Sequence, residues 1–395
     1  MATIVEISQI GKMRIREDGT LIPRGKQEML PTNHLPEGFS PHLAQEIKRA
    51  GGWEGPIGRQ FIRHGKLEDQ FFTGAESETD PLLEQTHMVA PRMIHKYKDR
   101  VLWELTLNCD SYCRHCFRFN MGTQGSLSIP EIQKGVEYIK QTNEVHEVIM
   151  SGGDIFTMPQ EHLAYVVGEV ARLKREGYIS RVRMATRLPF HNPKRFEDWH
   201  YKLIEELDRP HVMVHINHFE ELWHPDTREV YKRIAYAGGR LKSQSVFLRG
   251  VNADLKDGYG LGDQEPVTEL IDVGDGSQRE VLVSDNSIDE DKTVETIIKT
   301  FTAISEAGVD PYYMFQDDPV FWALHFRVPL SQAIRIWGRV RSSKHERSGI
   351  VLTARFVVDT PHGRGKIPVP EGESWDVNYN SGFTDYEGIG HDIFY

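Results

Sequence analysis

All three cysteines of this 395-residue chain fall within eight residues, in the run Cys109-Asp110-Ser111-Tyr112-Cys113-Arg114-His115-Cys116. Whatever the fold, it must carry that loop to a place where three thiolates act together. The spacing C-x3-C-x2-C can hold three irons of a [4Fe-4S] cube and leave the fourth iron open. A cube wrapped by four cysteines serves as an electron carrier or a structural plug, whereas an open iron can bind a small molecule. The residues between the thiols are polar, which suits a loop better than the buried small hydrophobes that isolated cysteines form. Zinc held by the three thiolates and His115 is a second reading, although this spacing is not a common zinc pattern. A disulfide framework does not suit a long chain with three cysteines.

Some thirty residues on, Val148-Ile149-Met150-Ser151-Gly152-Gly153-Asp154 reads as an apolar strand ending in a Gly-Gly turn. Two glycines let backbone approach a ligand closely, and Asp154 can accept from an ammonium. Such a turn alone is often only a turn. Taken with the cysteine run, in which Tyr112 precedes the second thiol and His115 the third, it resembles the radical S-adenosylmethionine (SAM) superfamily. The resemblance implies that Cys109, Cys113 and Cys116 hold the cube. It also implies that the open iron takes the amino and carboxylate groups of SAM, with Ser151, Gly152, Gly153 and Asp154 beside the SAM amino group.

Net charge is −11, which does not favour a nucleic-acid partner. No apolar run approaches the ~20 residues of a membrane span, and Met1–Gln9 lacks the basic start of a signal peptide. An exposed cluster needs a reducing interior, so the reading is cytoplasmic. Beyond residue 95, short apolar β-rich runs (101–107, 145–150, 181–186, 211–216, 241–248, 310–315) alternate with helical patterns. That alternation predicts an α/β fold with a parallel sheet. Six units fit a partial (β/α)6 barrel, which the resemblance also implies, and a further β-rich run covers 350–358. The expected organisation is an α-rich N-terminal extension (1–95), a core (96–360) and a C-terminal segment (361–395). An insertion at about 253–292 breaks the rhythm: between Asn252 and Lys292 twelve acidic residues face three basic ones. It reads as a solvated excursion or as an acidic rim for a cationic substrate or a partner.

Further stretches, from about Asp80 to the C-terminus, resemble the lysine 2,3-aminomutase family of radical SAM enzymes. They include His95-Lys96-Tyr97-Lys98-Asp99-Arg100, His215-Ile216-Asn217-His218, the run from Gln244 to Asn252, Pro311-Tyr312-Tyr313, and Phe356 through Val369. The resemblance implies an isomerase that moves an amino group from C2 to C3 of an amino acid, lysine or another basic one. It implies pyridoxal 5′-phosphate (PLP) as a further cofactor, a flavodoxin- or ferredoxin-type electron donor and a homo-oligomer. Read alone, Lys366 in Gly363-Arg364-Gly365-Lys366 is a loop lysine, because the G-x-x-x-x-G-K-[ST] frame of a P-loop is missing. By resemblance it is the lysine that bonds PLP, a role suited to an amine made nucleophilic by desolvation.

Lys96, Tyr97 and Arg100 match the PLP phosphate cluster, with Lys96 in place of the usual arginine fork. Gln244, His215 and His218 are further cofactor contacts by the same match. Arg118 matches the residue that pairs with the substrate carboxylate. Asp318 and Asp359 match a pair that brackets the distal ammonium; two carboxylates are a sensible cage for one buried cation. Their plainer reading is as turn residues. Trp322 and Phe119 are expected to add bulk near the pocket. Arginine, a protein lysine, or a deamination outcome stand as alternatives to migration on lysine.

Overall fold

The computed structural model describes residues 13–15, 21–23, 38–65, 67–68, 80–118, 125–272, 278–342, 353–360, 366–369, 383–384 and 390–391. Met1–Gln9, Phe119 and the Gly363–Gly365 turn, singled out above, lie outside them. The strands in chain order are β1 (Met13–Ile15), β2 (Leu21–Pro23), β3 (Met88–Ala90), β4 (Met93–Tyr97), β5 (Arg100–Thr106), β6 (Glu147–Gly152), β7 (Arg181–Thr186), β8 (His211–His215), β9 (Arg240–Val246), β10 (Pro266–Asp272), β11 (Gln278–Asp285), β12 (Asp310–Phe315), β13 (Arg355–Val358), β14 (Ile367–Pro368), β15 (Phe383–Thr384) and β16 (Gly390–His391). The longer helices are α1 (Pro41–Arg49), α2 (Ile129–Gln141), α3 (Gln160–Arg175), α4 (Asp198–Glu206), α5 (Pro225–Tyr236), α6 (Glu290–Glu306) and α7 (Leu330–Arg341).

Ten strands make one mixed α/β sheet in the order β3-β4-β5-β6-β7-β8-β9-β12-β13-β14. Its seven central strands, β5 to β13, pair in parallel throughout. Antiparallel pairs close each edge. Helices start where the sequence provides caps. Ser128 and Glu131 form a capping box on α2, Ser40 accepts from the Leu43 amide on α1, and Asp289 accepts from the Lys292 amide on α6.

The pleat divides each central strand between two jobs. Val148 and Met150, Val182 and Met184, Val212 and Val214, and Met314 point to the helices and form the main core. Each contributes about 1.5–3 kcal/mol by burial. Their alternates (Ile149 and Ser151, Arg183 and Ala185, Met213 and His215, Tyr313 and Phe315) line a cavity on the other face. The acidic insertion carries structure of its own: β10 and β11 form a separate antiparallel ribbon. Buried Arg249 anchors its base through Asp285 (2.7 Å), and Gln332 of α7 accepts from the Asp285 amide at 2.8 Å. Among the described residues, no helix is long and apolar enough to cross a membrane.

Candidate active site

The cavity holds about 780 Å³ and runs along one face of the parallel strands, from Arg100 at the start of β5 to Leu107 just beyond its end and Thr186 at the end of β7. The loop after β5 brings Cys109, Cys113 and Cys116 to its wall. Gly152 and Gly153 explain how this loop sits so close. Gly152 has φ +115°, and a Cβ there would meet the Thr106 carbonyl oxygen at 2.1 Å; one on Gly153 would meet that of Asn108 at 2.3 Å. The amides of Gly153 and Asp154 donate to those same carbonyls at 2.6 and 2.9 Å. The Gly-Gly turn thus seats the cysteine loop as well as lining the cavity beside Ser151. Asp154 braces the next strand end. Its carboxylate accepts from Thr186 Oγ1 (2.9 Å) and from the amides of Phe156 (3.1 Å), Arg187 (2.8 Å) and Leu188 (2.9 Å). Burial pushes its pKa up to about 6 against those hydrogen bonds.

Burial pushes all three thiols up, Cys116 to about 11. At Cys113 the Arg187 guanidinium opposes it, donating from Nη1 to Sγ at 3.0 Å. Arg187 is itself buried and fixed by Glu221 (2.9 Å) and Gln60 (2.6 Å). Trp322 Nε1 donates to the Cys116 carbonyl at 2.9 Å from behind the loop. It packs in a core cluster with Leu248 and Phe326 and does not line the cavity, so the bulk expected of it near Asp318 falls elsewhere. Thiols that burial keeps protonated become ligands when metal displaces their protons, and three soft donors on one loop fit an iron–sulfur cube. Nearby, Ser111 Oγ and His115 Nδ1 are buried without a hydrogen-bond partner among the described residues. No three His, Cys, Asp or Glu among the described residues gather closely enough to hold a single ion.

Across the cavity, Lys366 Nζ donates to Asp359 Oδ2 at 2.7 Å and sits 4.6 Å from the centre of the Phe315 ring. Tyr97 donates to Asp359 Oδ1 at 2.6 Å, and Lys96 Nζ stands 4.0 Å away, bonded to the Thr360 carbonyl. These contacts bridge β4 and the segment after β13, near opposite ends of the sheet. Burial would raise the Asp359 pKa, but the Lys366 and Lys96 charges outweigh it and hold the carboxyl below its ordinary range. Burial, then the charge of Asp359, pushes Asp318 up to about 7. His215 Nε2 meets Asn217 Oδ1 at 3.0 Å, and burial pushes the imidazole down to about 3, which keeps it neutral. Gln244 lines the cavity beside it. His218 does not; it caps a short turn, accepting from the Glu220 amide at 3.2 Å.

Among the described residues four arginines line the cavity, and each has a carboxylate partner. Arg183 pairs with buried Glu147 (2.8 and 2.9 Å) and Arg187 with buried Glu221. Arg100 pairs with Asp99 (2.9 Å), whose side chain is 44% exposed, so this guanidinium is the most easily recruited to an anion. Arg118 is held twice. Its Nε donates to Glu104, and its Nη2 to both oxygens of Glu84 at 2.9 and 3.1 Å. Burial disfavours its charge, but Glu84 and Glu104 outweigh that and keep it protonated.

Glu84, Glu104, Arg187 and Gln60 are the site residues that sequence reasoning missed. Glu104 had a signal, a lone charge in the apolar run 101–107. Gln60 had none.

No family profile matches the chain. Among curated proteins it is 32% identical over 337 residues to a putative L-lysine 2,3-aminomutase of Treponema pallidum, covering 85% of this chain and 81% of that protein. It is 30% identical over 292 residues to the L-lysine 2,3-aminomutase of Clostridium subterminale (73% and 59%). It is 26% identical over 308 residues to the glutamate 2,3-aminomutase of Clostridioides difficile (78% and 61%). The chain spans less than two thirds of the length of the last two.

Proposed function

Because the chain belongs to the radical SAM lysine 2,3-aminomutase family, we propose that it is an amino acid 2,3-aminomutase acting on a substrate with a cationic far end. This is an isomerase that moves an amino group from C2 to C3, giving a β-amino product. The observation that carries the reading is one cavity lined both by the three cysteines and by Lys366 on Asp359. In this reading Cys109, Cys113 and Cys116 hold a [4Fe-4S] cluster, and Lys366 holds PLP. When bound, the cluster supplies one-electron reduction of SAM, and PLP supplies a conjugated ring able to share an unpaired electron.

The chain's own residues supply position and charge. Arg100, with its exposed counter-ion, and Lys96 take the PLP phosphate beside Tyr97. Ser151, His215 and Gln244 line the space between the cysteine loop and Lys366. Asp359 and Asp318 would hold the distal cation of the substrate, lysine or another basic amino acid. Glutamate's second carboxylate would meet those two carboxylates instead. Arginine, a protein lysine or deamination remain the alternatives that product analysis separates.

The same reading takes the seven parallel strands, with their cavity-facing alternates and the Tyr97–Asp359 link, as a partial barrel. Residues 96–360 form its core between an N-terminal extension and a C-terminal segment carrying Lys366. A flavodoxin- or ferredoxin-type donor, a homo-oligomer and a cytoplasmic setting belong to the same proposal. Lys366→Ala should abolish the absorbance of bound PLP while leaving iron content unchanged. Retained PLP absorbance in that variant would remove the assignment. Cys113→Ala should lose the cluster's broad visible absorbance; unchanged iron content would refute the ligand set.

A further inference from the structure

We infer that Arg187 sets the reduction potential of the cluster: its guanidinium, bonded to the Cys113 sulfur, favours the reduced state. The inference rests on the cluster part of the aminomutase reading and assigns a residue outside the cysteine loop to the cluster's electronics. Arg187 acts through Cys113, so it positions charge rather than touching the reacting atoms. Its Nη1 donates to Cys113 Sγ at 3.0 Å. The guanidinium is not free to swing away. Its Nη2 donates to Gln60 Oε1 at 2.6 Å and to Glu221 Oε2 at 2.9 Å. It also lies over the rings of Phe61 and Phe190, 5.0 and 5.6 Å from their centres. At the other end of the residue, the backbone amide donates to Asp154 at 2.8 Å.

Gln60 fixes the spacing between guanidinium and sulfur. It is fully buried, and its carbonyl accepts from the Arg114 amide, within the cysteine loop, at 2.7 Å. Its side chain accepts from Arg187 and donates to Glu221 Oε1 at 3.0 Å. The loop and the guanidinium are therefore tied to one residue, and the contact is in place before any iron binds. An electron from an external one-electron donor adds negative charge to the cube and its thiolates. A charged N–H donor on a ligating sulfur stabilises that state more than the oxidised one, since hydrogen bonds to the sulfurs and local charge set such potentials. Burial strengthens the effect. Glu221 opposes it through its charge, but Glu221 meets the other terminal nitrogen, so the cation stands nearest the sulfur.

The test is an anaerobic potential titration of the protein reconstituted with iron, sulfide and PLP, without SAM. It follows the cluster's visible absorbance and the electron paramagnetic resonance signal of its reduced form, with iron per protein measured on each sample. A two-residue cycle separates the guanidinium from its counter-charge. Glu221→Gln should raise the reduced-to-oxidised ratio at a fixed potential. Adding Arg187→Met to Glu221→Gln should lower that ratio about tenfold relative to Glu221→Gln alone, a midpoint about 59 mV more negative for one electron. Arg187→Lys keeps the charge but gives up the fork, so it should lower the ratio by less; it reads the same potential should the double variant fail to fold. Unmoved midpoints at full iron content would overturn the inference and leave Arg187 as scaffold. Loss of iron from both Arg187 variants, with iron retained in the unaltered protein, would also overturn it, since Arg187 would then seat the cluster rather than tune it. An unaltered protein that takes up no iron would instead overturn the cluster reading beneath it.

Discussion

Asp318 and Asp359 are neighbouring carboxylates in one cavity, and their environments split them. Asp359 is held ionised by Lys366, Lys96 and Tyr97, whereas burial and the charge of Asp359 push Asp318 up to about 7. The folded value for Asp318 lies above its ordinary 3.8. Its contribution to stability is therefore complete at pH below that value and is lost as pH rises through about 7. Cation binding runs the opposite way, since the ionised form attracts an ammonium. Affinity for a ligand with a distal ammonium should rise between pH 6 and 8, around the midpoint near 7, and Asp318→Asn should flatten that profile. A flat profile in the unaltered protein would detach Asp318 from the cation. Arg187 makes a second residue-scale case. Replacing it by leucine leaves Glu221 buried without its counter-charge, which should cost about 3–5 kcal/mol in denaturant unfolding. A loss below ~1 kcal/mol would mean that the Cys113 and Glu221 contacts carry little.

At the scale of elements, the cysteine loop and the turn after β6 are built as one unit. Gly152 and Gly153 admit the backbone from Thr106 to Asn108 at distances no Cβ tolerates. Gly153→Ala should cost about 1–3 kcal/mol by overpacking and lower iron incorporation, because the loop must shift; normal stability and iron content would show that it adapts freely. The parallel strands were legible because their apolar runs and the intervening helices carry two different periods. All six core runs correspond to observed strands, shifted by a few residues at the ends, and the described part of the seventh run, 350–358, carries β13. The β10–β11 ribbon was not legible, because acidic residues interrupt its apolar positions and its Leu270 and Leu282 are exposed, so no buried face marks it in the sequence. The geometry around Trp322 was illegible for another reason. Sequence proximity to Asp318 says nothing about the side of the loop to which an indole turns.

For the whole molecule, the consequence of this topology is convergence. The cysteines follow the first parallel strand, Asp359 follows the last, and Lys366 lies on the edge strand's approach, yet all face one cavity. Side-chain bonds from Tyr97 and Lys96 to residues 359 and 360 span the two ends of the sheet. Tyr97→Phe removes one of them and leaves an Asp359 oxygen to be satisfied by others, which should cost about 1–3 kcal/mol and weaken PLP retention. Unchanged PLP affinity would make the bond incidental. Sequence placed most of the site residues on this cavity through resemblance, His218 excepted. The pairing of Arg118 with two glutamates was out of reach, since no spacing links positions 84, 104 and 118.

The most direct test of the account is turnover under anaerobic conditions. The protein is reconstituted with iron, sulfide and PLP, then given SAM, a reductant and basic amino acids, and the products are resolved by mass spectrometry alongside Lys366→Ala. The account predicts a β-amino product without stoichiometric loss of SAM, absent in the variant. No β-amino product from any of these substrates, or equal turnover by Lys366→Ala, would contradict it.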